Sequence, residues 1–183
     1  MPGEIGIWAF VFTDLIVFSF YFGTVFHERN QNPVAFAQGS AILSPASGAL
    51  NCAFMLTASL FLATAVQAVN AGHAMAARRN LLGAAACGVA FIVHKPIEWH
   101  SLLDAGCGPH RDTFFQLYYM LTGLHLVHVL IAMIVLKYLW GLAQHVGTGP
   151  TPRQSRFLGN GATYWHLVDI LWLALYAIFY LVR

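Results

Sequence analysis

The sequence predicts an all-α integral membrane protein, a single bundle of five transmembrane helices. Of its 183 residues 58% are hydrophobic and only 9% are charged, against roughly 25% charged in an ordinary soluble domain. So few charged side chains cannot cover the surface of a water-soluble protein of this size. We therefore expect the bilayer to be its main solvent. A helix needs about 20 mainly apolar residues to cross the hydrocarbon core, and five stretches have that length.

The five predicted spans follow one another at even spacing. They cover residues 5–26, 46–71, 81–102, 114–140 and 161–182. The segments between them are polar, basic or rich in Gly and Pro, and are predicted as loops: residues 27–45, 73–80, 104–112 and 141–159. No Lys or Arg precedes the first apolar run, which we interpret as a retained span rather than a signal peptide. The sequence has no internal repeat, so we expect one domain covering residues 1–183.

Basic residues indicate the orientation of the bundle. An odd number of spans places the two termini on opposite sides, and Lys and Arg are enriched in cytoplasmic loops. A cytoplasmic N-terminus places Lys137 and four arginines inside, namely Arg78, Arg79, Arg153 and Arg156. We expect these four arginines at the lipid headgroups, where an anionic phospholipid could bind.

Few ionisable residues fall within the spans, and each costs on the order of 2.5 to 3.5 kcal/mol at the bilayer centre on insertion scales. The candidate interior polar set is Glu98, His125, His128, His166 and Asp169. The two histidines of the fourth span are three residues apart, as are His166 and Asp169, so each pair can meet a neighbouring helix together. We expect both pairs and Glu98 to form one network.

Three interpretations of this network remain open at the level of the sequence. The side chains can bond to each other and fix helix packing, or pass protons. They also offer nitrogen and oxygen ligands to a metal, although the paired Glu-x-x-His motifs of di-iron bundles are missing. Three cysteines share no CxxC spacing, so they indicate neither a disulfide framework nor a thiolate metal site.

Asp14 differs from these residues, because the nearest polar side chains in its own span are only those of Thr13 and Ser19. Desolvation favours the neutral form of such a carboxyl group, so we expect it to be buried between helices. Buried carboxyl groups cluster at functional sites, which makes Asp14 a candidate for a proton-linked role. A protonated Asp that only holds two helices together is the alternative.

Two segments carry a resemblance to a known family. The sequences FFQLYYMLTGLHLVHVLIAM and YWHLVDILWLALYAIFYLVR closely resemble the last two helices of subunit III of the haem-copper cytochrome c oxidases. The patterns TGLHxxHVLI and YWHxVDxxW are both specific. Upstream, GIWAFVFTDLIVFSFYF, NCAFMLTASLFLATA and FIVHKPIEWH resemble the family's preceding helices. The resemblance covers nearly the whole chain except residues 27–45.

The resemblance implies a subgroup and a set of residue roles. The two additional N-terminal helices of larger members are absent, so their lipid-holding cleft is not expected within this chain. Thr13 and Asp14 replace a Ser-Glu pair, and this change, the short length and the MPGEIGIW opening are similar to the NorE-type members associated with nitric oxide reductase. Asp14 would correspond to the family's buried carboxylate. The candidate interior polar set would correspond to the polar residues inside the family's helix bundle. Lys95 and Pro96 have no place in the pattern.

The function that this resemblance implies is that of a non-catalytic accessory subunit. The partner would be the catalytic subunit of a bacterial respiratory haem-copper complex in the inner membrane, either a nitric oxide reductase or a cytochrome c oxidase. This chain would bind no haem, copper or iron itself and would support assembly, stability or proton uptake. The alternatives are a membrane metalloenzyme built on the His and carboxylate residues, and a small proton-coupled carrier.

Overall fold

The computed structural model describes residues 5–143 and 151–182. These residues form six α-helices, and the sixth continues into a π-helical turn, Ala177–Leu181. The helices are α1 (Ile5–Gln31), α2 (Pro33–Ile42), α3 (Pro45–Asn70), α4 (Ala74–Asp104), α5 (Thr113–Ala143) and α6 (Pro152–Tyr176). Every described element is thus helical, and five of them, α1, α3, α4, α5 and α6 with its π turn, are long and apolar enough to cross a membrane. The predicted all-α bundle with five spans is confirmed.

The prediction of a loop over residues 27–45 is wrong. Helix α1 runs on to Gln31, and a further helix, α2, occupies Pro33–Ile42. Proline disfavours helical backbone at the residue before it but is well suited to the first turn of a helix, so Pro33 ends one helix and begins the next. Packing stabilises α2, because the buried ring of Phe36 meets Phe114 of α5 edge-on, with centroids 5.4 Å apart.

The predicted loops over residues 73–80 and 141–159 are also largely helical where they are described. Helix α4 begins at Ala74, and helix α6 begins at Pro152, while residues 144–150 lie outside the described residues. The 31 residues of α4 span about 46 Å at 1.5 Å per residue. Because the hydrocarbon core is only about 30 Å thick, the helices extend beyond it. A prediction based on apolar length therefore missed their polar ends.

Local sequence explains where the spans begin and end. Gly72 and Gly106 follow α3 and α4 with φ values of 76° and 72°, a backbone conformation that favours glycine and closes a helix C-terminus. Asp112 begins α5, where its Oδ1 accepts a hydrogen bond from the Phe115 backbone N–H at 2.9 Å. Thr151 begins α6 with a reciprocal capping interaction between its own side chain and that of Gln154.

Helix α6 is the most buried of the five spans and α1 the least. Helix α6 packs against α1, α3 and α5, while α3 and α4 lie side by side. In the centre, the Phe91 ring meets Trp172 edge-on with centroids 4.9 Å apart. Gly88 allows α4 to approach α5 and α6 closely, because a Cβ there would overlap the side chain of Met133 and press against Trp165. Helix α6, which carries His166 and Asp169, thus packs on several spans and keeps one face exposed.

Candidate functional site

Asp14 and His128 face each other where α1 meets α5. Asp14 Oδ2 lies 3.4 Å from His128 Nε2, and their side chains are 15% and 12% exposed, respectively. His128 Nδ1 lies 2.8 Å from the Leu124 carbonyl oxygen. Because a carbonyl only accepts, Nδ1 donates this bond. Nε2 is then the ring nitrogen that faces the Asp14 carboxyl group.

Neighbouring aromatic residues cover this pair. The Phe18 ring meets the His128 ring edge-on, with centroids 5.5 Å apart. The Tyr164 hydroxyl of α6 donates to the His128 backbone carbonyl at 3.2 Å. The pair is therefore one of the polar contacts that join the least buried span, α1, to the bundle.

Glu98 belongs to a second, deeper cluster, whose centre is Lys95. The Lys95 side chain is fully buried, and its Nζ donates to Glu98 Oε2 at 2.9 Å, to the Tyr118 hydroxyl at 2.8 Å and to the Tyr180 hydroxyl at 2.9 Å. The Tyr180 hydroxyl in turn donates to Glu98 Oε1 at 2.6 Å. All three donors of the ammonium group thus have acceptors.

The Lys95 cluster joins three elements. Lys95 and Glu98 lie on α4, Tyr118 lies on α5, and Tyr180 lies in the π-helical turn that follows α6. A π turn inserts one extra residue per turn and so changes the direction of the side chains that follow it. Lys95 Nζ also lies 5.1 Å from the centroid of the Trp172 ring, within the range of a cation–π interaction.

His125 lies on the other side of Trp172 and is fully buried. Its ring lies 5.3 Å from Trp172 and 5.5 Å from Phe91, measured between centroids. Neither ring nitrogen has a hydrogen-bond partner within the described part of the chain. His125 is therefore packed as an aromatic side chain in the core.

His166 and Asp169 form a fourth group, with Ser59 of α3. The Ser59 hydroxyl lies 2.7 Å from His166 Nδ1, and Asp169 Oδ2 lies 3.6 Å from the same nitrogen. Asp169 is buried, whereas the His166 side chain is 46% exposed. His166 is the most exposed member of the four groups.

The predicted single network of Glu98 and the two histidine-containing pairs is not what the structure contains. Its members are divided among separate groups: His128 with Asp14, Glu98 with Lys95, His125 in an aromatic cage, and His166 with Asp169. Residues three apart on a helix differ by about 60° in direction, so His125 and His128 meet different neighbours. Within the described residues, no three His, Cys, Asp or Glu side chains converge as a metal site would require.

Sequence reasoning did not identify Lys95, Tyr118, Tyr180 or Ser59. Lys95 and Glu98 gave a usable signal, because opposite charges three residues apart on a helix are placed to pair. The partner tyrosines gave none, because they come from parts of the chain far from Lys95 in sequence.

The four arginines predicted to lie at the lipid headgroups are close to the beginnings of α4 and α6. The Arg78 guanidinium lies 4.9 Å from the centroid of the Trp140 ring. Arg153 and Arg156 line an open cavity of about 1050 Å³ between α5 and α6, together with Lys137 and apolar side chains. A smaller cavity of about 260 Å³, with largely apolar walls, adjoins it through Phe157 and Asn160 and reaches α1. Arg79 is exposed on the first turns of α4.

Comparison with known proteins agrees with the resemblance seen in the sequence. Residues 3–182 match the family described as cytochrome c oxidase subunit III. A haem-copper oxidase subunit I+III from Aeropyrum pernix is 28% identical over 183 residues, which are 96% of this chain but only 22% of that longer protein.

Two relatives are closer to this chain in length. Subunit 3 of the cytochrome bo(3) ubiquinol oxidase of Pseudomonas aeruginosa is 26% identical over 179 residues, 96% of this chain and 83% of the relative. A probable cytochrome c oxidase subunit 3 from Nocardia farcinica is 27% identical over 185 residues, 98% of this chain and 88% of the relative. The chain therefore belongs to the cytochrome c oxidase subunit III family.

Proposed function

We propose that this chain is a non-catalytic subunit of a bacterial respiratory haem-copper complex, either a nitric oxide reductase or a terminal oxidase. It would cover a lipid-facing side of the catalytic subunit and support that subunit's stability and proton uptake. The family match over residues 3–182 is the observation that carries this proposal. The name of the Aeropyrum relative, which joins subunit I to subunit III in one chain, supports a direct contact between the two.

The distribution of polar side chains favours a supporting role over chemistry in this chain. Glu98 is fully engaged by Lys95 and Tyr180, and His125 is packed among aromatic rings. A metalloenzyme built on Glu98 and the three histidines would need them together, whereas they lie in separate groups. Haem, with copper or non-haem iron, would belong to the partner subunit.

We assign the proton-linked role to Asp14 and His128. Asp14 Oδ2 lies 3.4 Å from His128 Nε2, and both side chains are partly exposed. A network of histidine and carboxyl groups can pass protons as well as join helices. In the complex, this pair would bias protonation next to a proton entry path of the catalytic subunit.

The basic cavity between α5 and α6 would hold a phospholipid. With a cytoplasmic N-terminus, Lys137, Arg153 and Arg156 lie at the cytoplasmic end, where the leaflet carries anionic headgroups. The adjoining apolar cavity continues towards the hydrocarbon and suits an acyl chain. This site would lie within the five-helix chain and needs no additional N-terminal helices.

Co-purification tests the accessory role directly. An affinity tag on this chain should bring down a haem-bearing subunit from membranes solubilised in mild detergent, detected by the reduced-minus-oxidised haem spectrum. A tag on an unrelated membrane protein of the same cells is the control. If this chain never purifies with haem in cells that express both, the proposal fails.

Replacing Asp14 with Asn separates its proton from its packing. The Asn amide can donate to His128 Nε2 and so keep the contact with α5, but it cannot share a proton. We expect Asp14→Asn to purify with its partner in normal amount, while the turnover of the complex, or its durability during turnover, falls. Asp14→Leu, which removes both contributions, should also weaken association. Unchanged turnover and durability in Asp14→Asn would leave Asp14 as a packing residue.

The Lys95 cluster tests whether interior charge serves the fold. Lys95→Met leaves Glu98 buried without its cation and should lower the free energy of unfolding by about 3–5 kcal/mol. Adding Glu98→Gln to that variant removes the orphaned charge and should restore most of the loss. Unfolding in detergent micelles measures both, with the exposed Lys137→Met as the matched control. If Lys95→Met unfolds like the control, the cluster does not stabilise the fold.

A further inference from the structure

The group formed by Ser59, His166 and Asp169 lies on the outside of the bundle at the depth of the bilayer centre. Ser59 is near the middle of the span Pro45–Asn70, and His166 is near the middle of Arg153–Leu181. Each span is long enough to place its middle residues well inside the hydrocarbon. The exposed side of this group therefore does not face headgroups or water.

His166 differs in this respect from the other ionisable residues at similar depth. Its side chain is 46% exposed, whereas those of Asp14 and His128 are mostly covered. Helix α1, by contrast, exposes mainly large apolar side chains, such as Phe12, Ile16 and Phe20, and no ionisable side chain at this depth. That face is suited to lipid, and the face around His166 is not.

The hydrogen bonding of His166 is incomplete. Ser59 and Asp169 both approach Nδ1, while Nε2 has no hydrogen-bond partner among residues 5–143 and 151–182. Acyl chains offer neither a hydrogen-bond donor nor an acceptor. A polar nitrogen that faces them therefore loses its hydration and gains no hydrogen bond in exchange. Ionisable groups within spans almost always face protein or a water-filled cavity.

Apolar side chains suited to helix packing surround His166. Ile170 and Leu173 follow it at spacings of four and seven residues, on the same side of α6, and are exposed. Leu56, one turn before Ser59 on α3, is exposed as well. We call the surface made by Leu56, Ser59, His166, Ile170 and Leu173 the His166 face.

We propose that the His166 face is where transmembrane helices of the catalytic subunit pack, with a hydrogen-bonding group of that subunit at His166 Nε2. This inference rests on the proposed function and adds to it the side of the bundle that the partner occupies. Small polar contacts of this kind join helices in membranes without large buried charges. The opposite assignment, with the partner on the apolar face of α1, would leave His166 in lipid.

Photo-crosslinking in intact membranes tests the assignment. A photoreactive amino acid replaces Leu56 or Ile170 on the His166 face, and Ile16 on α1 serves as the matched exposed control. Each variant must first purify with the haem-bearing subunit. After illumination, we expect adducts with the haem-bearing subunit from positions 56 and 170. We expect no such adduct from position 16.

The outcomes separate this inference from the proposed function. Adducts from position 16 alone, adducts only between two copies of this chain, or no adduct from positions 56 and 170 in an intact complex would each overturn the His166 face. All three leave the accessory role standing. Failure of every variant and of the unmodified chain to purify with haem would instead overturn the proposed function.

A substitution tests the hydrogen bond itself. His166→Leu should weaken association with the catalytic subunit about threefold, the size of an average interhelical hydrogen bond in a bilayer. The measurement is the exchange of labelled chain into the complex in mixed micelles. His100→Leu, which removes an exposed histidine at a helix end, is the control and should change nothing. Equal association of the two variants would contradict a bond at Nε2.

Discussion

Hydrocarbon cannot form hydrogen bonds, and the rest of this structure depends on that constraint. It requires the backbone to be helical across the bilayer, and it favours a protein partner for each polar side chain at that depth, although His125 has none among the described residues. Lys95 meets the requirement most completely, since three oxygen atoms surround its ammonium group inside the bundle. Asp14 and His128 meet it at the edge of the bundle. His166 meets it only in part, because its Nε2 has no hydrogen-bond partner among the described residues. We infer that this atom bonds to a partner outside the chain.

Apolar length was sufficient to predict the five spans, because crossing the bilayer demands it of any helix. It could not predict the helix ends or α2, which lie beyond the hydrocarbon and depend on local features such as Pro33 and on the contact between Phe36 and Phe114. The sequence likewise showed which ionisable residues lie within the spans but not what they meet. Spacing relates residues on one helix, such as Lys95 and Glu98. It does not show that Tyr118, Asp14 and Ser59 reach Lys95, His128 and His166, respectively, from other helices. The single predicted network failed for that reason.

The separate polar groups suit a subunit that supports a catalytic neighbour. A buried cluster fixes α4, α5 and the end of α6, and so keeps the central helix in one position. The contact between Asp14 and His128 joins the loosely packed α1 to that core, and it is the place to which we assign the proton-linked role. His166, in our proposal, would offer the neighbour a directional contact. Stability, proton coupling and docking would then belong to different residues, so that each could be altered alone.

The central claim is that this chain supports a reaction carried out elsewhere. The most direct measurement strips the chain from the assembled complex with detergent and follows turnover per haem from the first seconds onwards. The account predicts that initial turnover persists with unchanged haem content, while activity is then lost faster than in the intact complex. A stripped complex that keeps its haem but shows no turnover from the outset would contradict it, because the chain would then take part in the reaction itself.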